Sequence, residues 1–86
     1  MDLDNSYTAW ITTDRALLDS DCADLAVIGD ESNTIMFYTV LPVRHNATPD
    51  AIAAAVDDAL TEAGWEIAGP AHDVDSGEVI PVRFID

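Results

Sequence analysis

Seventeen carboxylic acids stand against three arginines and no lysine in this chain of 86 residues, a formal net charge of −14. A small domain stays soluble with a net charge of about 2–8, and the excess repels itself in any compact state. The folds open to such a chain are those that place nearly every acid at the surface. Nearly half of the residues, 49%, are hydrophobic and stand in periodic blocks. That separates the chain from disordered acidic segments, which are poor in apolar residues. Residues 1–86 read as a single acidic domain with one core, and a chain this short buries only about 60–65% of its unfolded surface.

The clearest block predicts a helix over Thr48–Gly64. Thr48 is a good N-cap, Pro49 suits the first helical position, and Asp50 complements the helix dipole. Ile52, Val56, Ala59, Leu60 and Ala63 recur on one face, with Asp50, Asp57, Asp58 and Glu62 opposite. Gly64 is the expected left-handed stop, and Trp65 beyond it is placed to pack back on Leu60.

Strands are expected on both sides of that helix. Thr34–Val43 is rich in β-branched and aromatic residues. Ile35, Phe37, Thr39 and Leu41 alternate with Met36, Tyr38 and Val40, both sets largely apolar, which predicts a central strand. Leu25–Ile28 is its expected hairpin partner, through Gly29-Asp30-Glu31-Ser32-Asn33, and Tyr7–Thr13 is a first strand. Trp65–Ala68 and Val79–Ile85 follow the helix, with a turn at Asp75-Ser76-Gly77. Pro81 cannot donate to a sheet ladder, so the last strand is expected at an edge or bulged. Arg15–Ala23 is read as a short helix on the strength of Leu18 and Cys22. The predicted fold is α+β: a small two-layer sandwich with a mostly antiparallel sheet of four to five strands and the 48–64 helix on one face, for which the ferredoxin-like arrangement is one candidate topology.

Little in the chain carries reaction chemistry. Asp73-Val74-Asp75-Ser76-Gly77-Glu78 has the outline of a calcium loop, but its glycine comes one residue early and Phe84 occupies the place of the bidentate glutamate. Asp19, Ser20, Asp21 and Asp24 form a second acidic knot suited to weak divalent binding only. His45 and His72 lack paired zinc spacing, and no glycines flank Cys22 to build an oxyanion hole. A lone cysteine forms no intrachain disulfide and is expected as a small buried hydrophobe. The expectation is a protein without enzyme activity, cofactor or dedicated metal site. Arg15, Arg44 and Arg83 are scattered within a field that repels phosphates, so neither nucleic acid nor an anionic membrane is an expected direct ligand. The start, Met1-Asp2-Leu3-Asp4, lacks the basic flank and apolar run of a signal peptide, and no stretch approaches the ~20 apolar residues of a membrane span. A cytoplasmic location is expected.

Two accounts of the acidity remain. In the first, the acids are themselves the binding surface. Proteins that handle DNA bind it through basic grooves, and a rigid array of carboxylates can occupy such a groove in place of phosphates. Residues four apart on a helix rise about 6 Å, against ~3.4 Å per phosphate along one DNA strand. The expected partner-binding residues are Asp50, Asp57, Asp58 and Glu62 on the helix, Asp19, Asp21 and Asp24, Asp30 and Glu31, and Asp73, Asp75 and Glu78. In size and charge the chain resembles small inhibitors of restriction, CRISPR or other DNA-handling proteins. That resemblance implies a DNA-mimic inhibitor whose partner is a basic nucleic-acid-binding protein. In the second account the chain is a small regulatory or subunit domain, and its acidity is an adaptation to salt or to a GC-rich genome. The oligomeric state stays open, with unpaired strand edges and the outer sheet face available for pairing.

Overall fold

A computed structural model of the protein describes residues 7–29 and 33–85. Its α-helix, α1, spans Pro49–Ala63, and the residues that mark its ends in the sequence set them in the structure. The Thr48 hydroxyl accepts from the Ala51 amide at 3.2 Å. Gly64 adopts φ +91° and ψ 26°, and its amide donates back to the Leu60 and Thr61 carbonyls. That left-handed geometry strains any residue carrying a Cβ, which is why glycine ends the helix. Ile52, Ala55, Val56 and Leu60 form its buried stripe.

Six strands make one sheet: β1 (Tyr7–Thr12), β2 (Cys22–Gly29), β3 (Ile35–Arg44), β4 (Trp65–Ile67), β5 (His72–Val74) and β6 (Gly77–Phe84). The order is β3-β2-β1-β6-β4, with β5 also paired to β6, and every pairing is antiparallel. This is the expected α+β fold with one or two more strands than the sequence suggested. It is not ferredoxin-like. That topology needs a crossover helix after the first strand, whereas β1, β2 and β3 form a simple antiparallel meander.

The segment expected as a short helix explains the difference. Arg15–Leu17 makes a single 3-10 turn, and β2 already begins at Cys22. The Asp14 carboxylate accepts from the Ala16 amide at 3.0 Å, and the Ser20 hydroxyl accepts from the Cys22 amide at 3.3 Å. Short polar side chains here hold the backbone in turns that compete with helix propagation. Arg15 closes the loop by donating to Asp21 and to the Leu18 carbonyl.

Two strand environments also differ from expectation. β6 is interior, flanked by β1 on one side and by β4 and β5 on the other. β4 pairs with residues 82–84 and β5 with residues 77–79, so the second side is interrupted at Pro81. The Pro81 carbonyl accepts from Ala68 at 2.8 Å within that interruption. A residue's N and C=O project to the same side of a strand, so the missing Pro81 N–H falls where no ladder partner stands. An interior strand thereby tolerates a proline.

β3, expected at the centre, is an edge strand. Leu41 is buried and Phe37 and Val43 pack against the core, while Met36, Tyr38 and Val40 are exposed. Register shifts interrupt its pairing with β2 near Cys22–Asp24 and Val27–Ile28. The second sets Ile35 opposite Ile28, on the face away from the helix, instead of beside Phe37. The expected alternation holds from Phe37 to Leu41 but not at Ile35, and one of the two faces is bare.

The core lies between α1 and the inner face of the curled sheet. Ala9, Ile11, Ala23, Leu25, Val27, Leu41, Ile80 and Val82 meet Ile52, Ala55, Val56, Leu60 and Trp65 there. Trp65 stacks edge-on against Tyr7 at 5.0 Å and Phe84 at 5.1 Å. No polar or charged residue is buried among those described. The acid-rich sequence is sorted as its charge demands.

Candidate functional site

The acids of α1 form two short columns, not one line. Asp50 and Asp57 lie seven residues apart, nearly in register after two turns, and Asp58 and Glu62 stand one turn apart beside them. All four are exposed. From Asp50 to Glu62 the helix rises about 18 Å, the length of roughly five phosphates along one DNA strand. No basic residue stands in the last turn, so the like-charged Asp58–Glu62 pair has no cation beside it.

The β5–β6 hairpin brings a second group to the same side. Asp73 and Glu78 are directly opposite one another, a like-charge pairing that destabilises a sheet. Glu78 also faces the buried Ile11 across the β1–β6 ladder, so it projects from the inner, helix-bearing face. An open groove of about 480 Å3 joins these acids to the helix start, lined by Asp50, Asp73 and Glu78 with His45, Pro49 and Ile52 among its walls. Asp75 is exposed in the turn of the hairpin. Ser76 anchors that turn, its carbonyl accepting from Thr13 at 2.9 Å and Asp14 at 3.3 Å. Of the helix acids, Asp50 shares this groove with the hairpin, while Glu62 lies beside Phe37 and Thr39 of β3 at the other end of α1.

The other expected residues sit elsewhere. Asp19 and Asp21 are exposed in the β1–β2 loop, and the Asp21 carboxylate is held by Arg15 at 3.0 Å. The Asp21 carbonyl accepts from the His45 amide at 2.8 Å, which ties this loop to the start of the groove. Asp24 lies on the opposite, helix-free face, where it accepts from the Tyr38 hydroxyl at 3.1 Å. That bond and the nearby carboxylate charge push the Tyr38 phenol above its ordinary pKa. Asp30 and Glu31 lie outside the described residues.

Among the described residues, two ion pairs form: Arg15–Asp21 and Arg83–Glu66. The carboxylates of Asp50, Asp57, Asp58, Glu62, Asp73, Asp75 and Glu78 have no cationic partner among the described residues. Within the same residues no group of three or more His, Cys, Asp or Glu side chains is placed to hold a metal ion. Cys22 is half-buried and stands opposite Arg44, while His45 lines the groove. Among the described residues, no helix is long and apolar enough to cross a membrane.

The sequence did not reveal the bare face. Trp10 and Tyr38 are both exposed on it. The signal was present in β1, where Thr8, Trp10 and Thr12 alternate with Ala9 and Ile11, and a tryptophan between threonines marks a wet face. No protein-family model matches the chain, and no curated protein or solved structure is significantly similar to it.

Proposed function

We propose that this chain is a non-enzymatic protein-binding module whose helix-side carboxylates occupy the basic groove of a nucleic-acid-handling protein, in the manner of a DNA-mimic inhibitor. One observation carries this reading: Asp50 of α1 and the hairpin acids Asp73 and Glu78 line one groove on the helix side, and Asp57, Asp58 and Glu62 are exposed along the same helix, all without a cationic partner among the described residues, while the strand acids of the other face, Asp24 and Glu66, are both hydrogen-bonded. An acidity imposed by salt or genome composition has no reason to favour one face. A partner's basic groove does, since closely spaced carboxylates relieve their mutual repulsion by contacting cations.

The test is capture of partners from host lysate on the tagged protein, with elution in a salt gradient and a parallel elution by duplex DNA. Release of a DNA-binding protein by moderate salt and by duplex is the expected result. The triple variant Asp57→Lys, Asp58→Lys, Glu62→Lys should lose that partner while keeping the helix. A partner that duplex cannot displace, or one retained by the triple variant, would sink the mimic. A fold that forms only in molar salt would make the acidity an adaptation.

A further inference from the structure

Among the described residues, nothing covers the face of the sheet opposite α1, which is apolar at its centre. Strand pairing sets Tyr38, Ala26, Trp10 and Val79 in one row across β3, β2, β1 and β6. Ile35, Ile28 and Pro81 flank it through Thr8, and Val40 extends it beside Asp24. Trp10 is 41% exposed, Tyr38 54%, Val40 51%, Met36 50% and Ile35 62%. Among the described residues of these strands, charged groups stand around this centre: Asp24 and Arg44 towards one end, and the Glu66–Arg83 pair at the other. An apolar centre within a polar rim is the anatomy of a protein interface.

We propose that this face is covered by a second copy of the same chain, packed sheet against sheet about a two-fold axis. Three observations select that occupant. The first is charge: acids are withdrawn from this face and the two in its strands are hydrogen-bonded, so a copy with the same excess of negative charge approaches here without meeting bare carboxylates. A basic partner, by contrast, finds its attraction on the helix side. The second is area: half-exposed side chains that bury roughly 150–250 Å2 each when aromatic give about 500 Å2 per copy, and two copies reach the ~1,000 Å2 at which specific interfaces begin. The third is the edge: register shifts near both ends of β3, with Pro42 inside one of them, break the ladder that edge-to-edge pairing would extend. The face, not the edge, is the contact. This dimer does not depend on the role of the acidic side.

The experiment is sedimentation of the full chain from about 1 to about 200 µM, a range suited to an interface near the lower size limit. A monomer–dimer equilibrium is expected, and raising salt from roughly 0.05 to 0.5 M should tighten it several-fold by screening protomer repulsion. Trp10→Arg and Val40→Arg each alter an exposed side chain, and each should raise the dissociation constant at least about tenfold, as loss of a central anchor does. Far-ultraviolet circular dichroism checks that each variant is folded. Hydrogen exchange on the wild type supplies a readout that needs no variant, since sheet-face packing leaves the outward edge amides of β3 no better protected in the dimer. A wild type monomeric throughout, a dimer that both folded variants retain, a dimer dissociated by salt, or new protection along the β3 edge would each overturn the proposal.

Discussion

Gly77→Ala probes whether the acidic hairpin is held where the groove requires it. Gly77 opens β6 with φ +155°, outside the region that side-chain-bearing residues adopt readily. A Cβ there would overlap the Ile11 carbonyl oxygen and stand 3.0 Å from the Ile11 carbonyl carbon and 3.1 Å from the Thr13 amide nitrogen. All three are backbone atoms, of β1 or of the residue just after it, pinned by the β1–β2 and β1–β6 ladders and by the Thr13–Ser76 hydrogen bond, so none moves aside cheaply. Backbone strain of about 1–3 kcal/mol adds to an overpacking cost of about 1–3 kcal/mol. The expected loss is therefore about 2–6 kcal/mol, a melting point lower by at least ~8 °C for a domain of this size. Gly64→Ala and Gly69→Ala calibrate it. Gly64 shares the strained backbone but has only the Phe84 ring at 3.4 Å, and Gly69 meets the Pro81 ring at 3.2 Å. Gly64→Ala should cost about 1 kcal/mol and Gly69→Ala less. Thermal melts of the three variants, with urea titration for the free energies, make the comparison. A Gly77→Ala protein melting within about 3 °C of wild type, or above Gly64→Ala, would refute the close packing of the turn on β1.

Other outcomes follow from single contacts. Leu25→Ala empties a fully buried position beneath the helix and should cost about 2–5 kcal/mol in urea unfolding. Relieving the Asp73–Glu78 opposition with Asp73→Asn should stabilise the fold by about 0.2–1 kcal/mol, and a loss of stability would mean that the two carboxylates do not repel as placed. Asp24→Asn should lower the pH at which Tyr38 ionises, read by ultraviolet absorbance against a Tyr38→Phe blank. Because folding raises this pKa, the stabilisation is fully present below the ordinary tyrosine value and is lost as pH rises through the folded one. An unchanged titration curve in Asp24→Asn would exclude the Asp24 carboxylate charge as a cause.

How far the fold was legible depended on how local its determinants are. The Thr48–Gly64 helix could be read to the residue because Thr48, Pro49 and Gly64 each act on backbone groups within one turn. The Asp75-Ser76-Gly77 turn was legible for the same reason. β3 was misplaced because alternation reports only that a side chain is apolar, and whether a layer covers it is decided by segments far along the chain. Pro81 misled because its tolerance depends on a gap between β4 and β5 that neither residue run announces alone. In the candidate site, the helix and hairpin acids could each be identified, but the meeting of Asp50 with Asp73 and Glu78 around one groove arises from tertiary packing. Asp24 looked equivalent to Asp19 and Asp21 and is not: β2 turns it onto the other face, beside Tyr38.

That division between faces makes salt a discriminating variable, because the two sides of one molecule should respond to it with opposite sign. On the helix side, bare carboxylates act over a distance set by screening, about 8 Å at physiological ionic strength and ~30 Å at 0.01 M. A complex made there with a basic groove is strongest in dilute salt and weakens as ions replace the contact. On the sheet side, the attraction is apolar and short-ranged, and charge enters only as repulsion between protomers. The molecule's two short axes measure 21 and 19 Å, more than twice the physiological screening length, so helix-side acids of two copies packed back to back scarcely sense one another there. At low salt they do, and the dimer loosens. Raising ionic strength should therefore release the partner while it draws two copies together. If both associations moved in the same direction, acids and apolar surface would belong to a single contact, and the separation of the two faces would no longer explain either.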